Sequence, residues 1–275
     1  MSHNNQKKIA VINDISGFGR CSIAVSLPII SAMKIQCCML PTSIFSNHSG
    51  FKSFFFDDYT DRMQEYIDNW KKLDLRFKGI ATGFLGSRKQ IEIVSGFLND
   101  FGGDDTIVII DPVMGDYGKP YSTYTEDMCR DMIKLLEYAD IITPNLTEAC
   151  ILTETPYRED MTDEELEEIV KKLSDKGPDK IVITGLQQGD MVANLVYESG
   201  KGVSWVRNKK VGKERSGTGD IFASIIAADA VNGEDFEQSV RKASEFIIKC
   251  IAKSIEMDIP DTDGVCFEEF LTTLS

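Results

Sequence analysis

The chain has 275 residues, of which 42% are hydrophobic and 27% charged, and its formal net charge is −14. That charge leaves no basic footprint for nucleic acid and is repelled by anionic membrane surfaces, so neither is expected as a partner. An anionic substrate must instead be held by local devices: helix N-termini, nests of backbone N–H groups, or a metal ion.

Residues 1–7 are polar, carry no apolar secretory core and read as a flexible tail. Ile9–Ile12 is the first predicted strand, followed by a helix over Cys21–Met33 and a strand over Ile35–Leu40. A helix over Tyr59–Leu73 leads to the strand Gly79–Thr82, and a helix over Arg88–Asp100 to the strand Thr106–Ile110. The helix Glu126–Glu137, the strand Ile141–Ile142, the helices Leu146–Leu152 and Asp163–Lys176 and the strand Lys180–Ile183 complete the alternation. These strands are short, continuous and rich in β-branched residues, as strands covered on both faces are. The order implies right-handed βαβ crossovers and a mainly parallel sheet. After Gly185 come a hairpin, Val192–Tyr197 with Gly202–Arg207, then helices over Gly219–Val231, Phe236–Glu256 and Phe267–Leu274. No Pro-, Gly- or Ser-rich linker divides the chain, and it reads as one α/β domain over 1–275. The seven cysteines are odd in number and lack C-x-x-C spacing, and only two histidines are present. Reduced thiols in a cytosolic protein are therefore expected rather than a zinc site.

In such a sheet, ligands bind beyond the carboxyl ends of the strands, and there the chemistry-bearing residues collect. Gly217-Thr218-Gly219-Asp220 precedes an apolar helix. Its glycines can turn N–H groups inward, and the helix dipole adds positive potential, which makes an anion hole for a transferring phosphoryl group. Asp220 is placed to take a proton from a substrate hydroxyl, although an Asp here also suits a helix cap. Asp111-Pro-Val-Met-Gly-Asp116 follows a strand and aims two carboxylates toward Mg²⁺ and phosphate, or forms a polar turn. Asn145 and Glu148 are neighbours on one first helical turn, where they suit a hydrated Mg²⁺ or helix capping. Thr184 and Gly185 offer a hydroxyl and a backbone N–H to phosphate. His48, in Phe45-Ser-Asn-His-Ser-Gly50, is a lone histidine of the kind that more often serves structure, yet its place after the second strand favours ligand contact. No G-x-G-x-x-G and no Walker A loop is present.

This ordered set (Ser16-Gly-Phe-Gly19, Phe45–His48, Asp111–Asp116, Thr143–Glu148, Thr184-Gly185, Gly217–Asp220) resembles the ribokinase-like superfamily, and within it the vitamin B6 kinases, over about Ile9–Ile255. The resemblance implies a three-layer α/β/α fold and phosphorylation of the 5′-hydroxymethyl group of pyridoxal, pyridoxine or pyridoxamine by ATP. Asp220 resembles the catalytic base, and Gly217, Thr218 and Gly219 the anion hole. Asp111, Asp116, Asn145, Glu148, Thr184 and Gly185 resemble the Mg-ATP site, with Asp111 and Glu148 toward Mg²⁺, partly through water. Asp14, Ser16, His48 and Ser49 match the substrate positions, with Asp14 and Ser16 competing for the ring. The hairpin and Asn208–Arg215 would border adenine and ribose. A K⁺ requirement and a cytoplasmic homodimer are further expectations of the resemblance. The first loop, Asp14-Ile-Ser-Gly-Phe-Gly19, is closer to hydroxymethylpyrimidine kinases, which makes that substrate the alternative, with a sugar behind it.

Overall fold

The computed structural model describes residues 2–275. Its strands are β1 (Lys8–Ser16), β2 (Gln36–Phe45), β3 (Phe56–Asp58), β4 (Gly79–Thr82), β5 (Ile107–Ile110), β6 (Gly115–Asp116), β7 (Lys119–Pro120), β8 (Ile141–Ile142), β9 (Lys180–Gln188), β10 (Met191–Glu198) and β11 (Gly202–Lys209). Nine of them form one sheet in the order β11-β10-β9-β8-β5-β4-β1-β2-β3, while β6 and β7 pair separately. From β2 to β9 the pairing is parallel, and the edges β3 and β10–β11 are antiparallel.

The helices are α1 (Ile23–Ala32), α2 (Thr60–Lys72), α3 (Arg88–Phe101), α4 (Glu126–Leu135), α5 (Leu146–Leu152), α6 (Asp163–Ser174), α7 (Thr218–Asn232) and α8 (Phe236–Glu256). Alternate strand residues enter opposite cores, as the two-residue period requires. Ile9 and Val11 pack with α1, α7 and α8, whereas Ala10 and Ile12 pack with α2 to α6. Ile12, Ile80, Ile109 and Ile110 are wholly buried, and each such side chain contributes roughly 1.5–3 kcal/mol of transfer free energy. The three layers follow from these two apolar faces.

Several expectations are corrected. Instead of ending at Ile12, β1 continues through Ser16, because β2 also runs on to Phe45 and the two stay paired across a bulge between Asn13 and Ile15. Pro41, which has no N–H to donate, sits opposite Asn13 at that bulge. Likewise β9 runs past Thr184-Gly185 to Gln188, because the antiparallel β10 pairs with it from Lys180 to Gln188, well beyond the two residues that pair with β8. The last segment, Glu268–Leu274, is a 3₁₀ helix. Within residues 2–7, Asn4 donates to the Asp74 carbonyl and accepts from the Arg76 N–H, and Lys7 Nζ donates to the Val231 carbonyl. Met1 lies outside the described residues.

Candidate active site

β1 has β2 on one side and β4 on the other, so the chain's winding reverses at its carboxyl end, where a crevice opens. Asn13, Asp14, Asp111 and Asp220 converge there. Gly83, just after β4, is required at this point: a Cβ would fall 2.4 Å from Asn13 Nδ2.

The Asp220 carboxylate does not cap its helix. The N-cap of α7 is Gly217, in the left-handed region with φ +80°, and no side chain caps that end. Asp220 Oδ1 instead accepts a hydrogen bond from Asn13 Nδ2 at 3.1 Å, and the backbone N–H of Ser22 also reaches the carboxylate. Burial pushes its pKa up to about 6, the nearby Asp14 charge adds to this, and the two hydrogen bonds oppose it. A carboxylate so held is a usable base near neutral pH. Gly217 lies so close to the preceding loop that a Cβ would stand 1.8 Å from the Arg20 carbonyl oxygen. Gly219 is exposed, with open space where a Cβ would be.

Ser22 joins two of the carboxylates. Its hydroxyl donates to Asp14 Oδ1 at 2.6 Å rather than capping α1, and its φ is +56°. Such backbone strain persists where the surroundings over-determine it. The Ser16 hydroxyl donates to Asp14 Oδ2 at 3.1 Å, and both residues are buried. Burial raises the Asp14 pKa.

On the other side of Asp220, Asp111 accepts from the Thr143 hydroxyl at 2.9 Å. Burial, then the Asp220 charge, pushes the Asp111 pKa up. Glu148 is buried deeper, and burial followed by the Asp111 charge drives its pKa well above the usual range. The capping alternative for Asn145 and Glu148 is realised: each side chain accepts from the other's backbone N–H at 2.9 Å. Glu148 Oε1 also accepts from the Met114 N–H, and Asn145 Nδ2 donates to the Gly115 carbonyl. Asp116 is half-buried on the β6–β7 turn, whose Tyr117 hydroxyl donates to Glu214.

Thr184, Gly185 and His48 are engaged with the protein itself. The Gly185 N–H is taken by Asn194 Oδ1 at 3.1 Å, which removes it as a phosphate donor, and the Thr184 hydroxyl faces the Pro144 carbonyl at 3.4 Å. His48 Nδ1 accepts from the Gly50 N–H, leaving Nε2–H to donate to the Thr262 carbonyl at 2.7 Å. Both ring nitrogens are thus spent on the protein, and the ring packs on Phe51. Ser49 is exposed. Sequence reasoning missed Asn13, Ser22 and Gly83. The available signal was a polar Asn directly continuing the buried run Ile9–Ile12.

No ion pair among the described residues includes Asp14, Asp111, Asp116, Glu148 or Asp220. A row of buried carboxylates without a counter-ion is costly unless a cation joins it. Its oxygen donors suit Mg²⁺, which binds through one or two carboxylates plus phosphates and water. No group of three or more His, Cys, Asp or Glu among the described residues forms an all-protein metal cage. Glu148, with both oxygens engaged, would act through water, and the open oxygen of Asp111 is the direct candidate.

The chain matches the phosphomethylpyrimidine kinase family over residues 27–262. It belongs to that family. A protein of Bacteroides thetaiotaomicron, provisionally named a phosphomethylpyrimidine kinase, superposes with a TM-score of 0.97 at 39% identity, covering 100% of this chain and 96% of that one. A second crystal form of the latter, with pyridoxal, gives a TM-score of 0.94 at 38% identity, covering 98% and 96% of the two chains. The bifunctional thiamine biosynthetic enzyme of Arabidopsis thaliana is 26% identical over 245 residues, which are 87% of this chain but only 45% of that enzyme's length. A pyridoxine/pyridoxal/pyridoxamine kinase of Bordetella avium is 23% identical over 266 residues, 90% of this chain and 86% of the other. The protein is a pyridoxal kinase-like member of the ribokinase superfamily and an ATP-dependent phosphotransferase. Among the described residues, no helix is long and apolar enough to cross a membrane.

Proposed function

We propose that this phosphotransferase transfers the γ-phosphoryl group of ATP to the 5′-hydroxymethyl of pyridoxal, pyridoxine or pyridoxamine. The observation that carries the chemistry is Asp220, freed from capping and held by Asn13 and Ser22 at the start of α7. Asp220 removes the hydroxyl proton as the oxygen attacks, and the Gly217–Gly219 backbone N–H groups hold the transferring phosphoryl group. Mg²⁺, when bound with ATP, neutralises phosphate charge. Asp111 and Asp116 orient that end of the nucleotide, and the Asn145–Glu148 capping box keeps the Met114–Asp116 turn in place beside them.

The choice of alcohol is supported by the pyridoxal bound in the 38%-identical relative. His48, Ser49, Asp14 and Ser16 then shape the ring pocket, with His48 acting by pinning its loop rather than through a free nitrogen. The matched family and the thiamine biosynthetic relative favour a second reading, a hydroxymethylpyrimidine substrate. A cytoplasmic homodimer completes the proposal, its location supported by seven free cysteines. Dependence on K⁺ rests on the family resemblance alone. ADP release measured across pyridoxal, pyridoxine, pyridoxamine, hydroxymethylpyrimidine and ribose separates the readings. A B6 vitamer should give the highest kcat/KM, and a clear preference for hydroxymethylpyrimidine would replace the first reading by the second.

A further inference from the structure

Asn13 is 5% exposed, and each end of its amide is committed. Its Oδ1 accepts two backbone N–H groups, from Asp14 at 2.9 Å and from Phe84 at 2.8 Å. The orientation of the amide is thereby fixed, since the opposite flip would set NH₂ against two donors. Nδ2 is left to point at Asp220 Oδ1, 3.1 Å away, the partner it has in the structure. Gly83 leaves the space in which this side chain lies, because a Cβ there would come within 2.4 Å of Nδ2. Asn13 lies within β1 at its bulge, and Gly83 and Phe84 directly follow β4 in the middle of the sheet, whereas Asp220 sits on the first turn of a helix entered through a loop. The amide therefore ties a reactive side chain to the sheet. Asn13, Asp111 and Asp220 line one small cavity with Ser26 of α1 and Ser224 of α7.

We propose that Asn13 is a positioning residue that holds the Asp220 carboxylate in its reactive orientation by a hydrogen bond anchored in the sheet. The inference rests on Asp220 being the base and adds a residue that acts only through it. Asn13→Asp is the discriminating variant. It is isosteric and keeps the oxygen that accepts the Asp14 and Phe84 N–H groups, yet it removes the donor to Asp220. Its new carboxyl also stands beside Asp220 and disfavours a second negative charge there, so its losses count toward the proposal only where the uncharged Asn13→Ala shows them too.

The test measures kcat, KM for ATP and for the alcohol, and the thermal midpoint in a cycle of Asn13→Asp, Asp220→Asn and the double variant. Asn13→Asp should lower kcat about tenfold or more, the loss expected for a hydrogen bond to a charged group. Both KM values should stay within about threefold, because both ends of the Asn13 amide are engaged with the protein itself. In the Asp220→Asn background the same substitution should change the residual rate by less than about threefold, since two residues acting as a unit are not additive. A single-variant kcat within twofold of wild type, or equal fractional losses in both backgrounds, would overturn the proposal. Asn13→Ala, which removes the donor without adding a charge, enters the same cycle under the same criteria, and its failure to meet them overturns the proposal. An active wild type indifferent to Asn13 sinks this inference alone, whereas a wild type that turns over but is indifferent to Asp220→Asn sinks the base assignment and this inference with it.

Discussion

Two glycines two residues apart should respond in opposite ways to the same added methyl group. Gly217 has φ +80°, and a Cβ there would lie 1.8 Å from the Arg20 carbonyl oxygen. The left-handed conformation costs a non-glycine residue about 1–2 kcal/mol. The overlap is between two backbones, so no side chain can swing away, and relief by backbone shift adds about 1–3 kcal/mol. Gly217→Ala should therefore lose about 2–5 kcal/mol, or about 5–15 °C in thermal midpoint for a chain of this length. Gly219 is helical, and its Cβ would meet nothing within 4 Å. Gly219→Ala should match or exceed wild-type stability, by up to about 1 kcal/mol, through its better helix propensity. Its methyl group nevertheless occupies the space before the helix N-terminus in which the phosphoryl group is to be seated. Turnover should then fall about tenfold or more, as small misplacements of reacting groups do. Scanning fluorimetry and a coupled ADP assay on the two variants decide the matter. A stable Gly219→Ala enzyme with full turnover would refute the anion hole, and an unchanged midpoint for Gly217→Ala would refute the close approach to Arg20.

The remaining expectations concern charge and anchoring. Since Asp220 must be unprotonated to act and its pKa is raised to about 6, kcat/KM should fall as pH drops through about 6 and hold above it. A profile flat down to pH 4.5 would exclude it as the titrating base. Burial and the Asp220 charge raise Asp111, so its ionised form destabilises the fold at high pH and that cost disappears on protonation. Without nucleotide, Asp111→Asn should melt higher than wild type at pH 8, with the gap shrinking as pH falls below about 7 and closing only near the ordinary carboxylate pKa of about 4, while losing Mg-ATP turnover. Arg215 is buried, donates to the Ile259, Pro260 and Gly264 carbonyls and pairs with Asp261 at 3.0 Å. Arg215→Ala should cost about 2–4 kcal/mol and lower kcat, because the chain leading into Gly217 loses its anchor. Unchanged urea unfolding would contradict this.

Much of the architecture was legible because apolar runs such as Thr106–Ile110 and Lys180–Ile183 are too short and too β-branched to be helices. The order of strand-end motifs likewise pointed to the carboxyl edge of the sheet, where Asp111 and Asp220 meet. What was not legible depended on pairing between distant segments. Asn13 to Ser16 look like a polar loop, and only the continued partnership with Pro41–Phe45 keeps them in β1. Phe56–Asp58 shows no buried face, since this edge strand is exposed throughout. Gly185 resembled a phosphate-binding glycine, but its N–H is engaged by Asn194 on the neighbouring strand. For Asp220 the sequence allowed a cap or a base with equal ease. The absence of a side-chain cap on α7 and the bond from Asn13, 207 residues away, separate the two.

The most direct trial of the central claim is the turnover of Asp220→Asn with Mg-ATP and pyridoxal, measured on protein whose thermal midpoint equals or exceeds that of wild type. Loss of a general base should lower kcat by about two decades or more with little change in KM. Turnover within about threefold of wild type would contradict the assignment of Asp220 as the group that activates the alcohol.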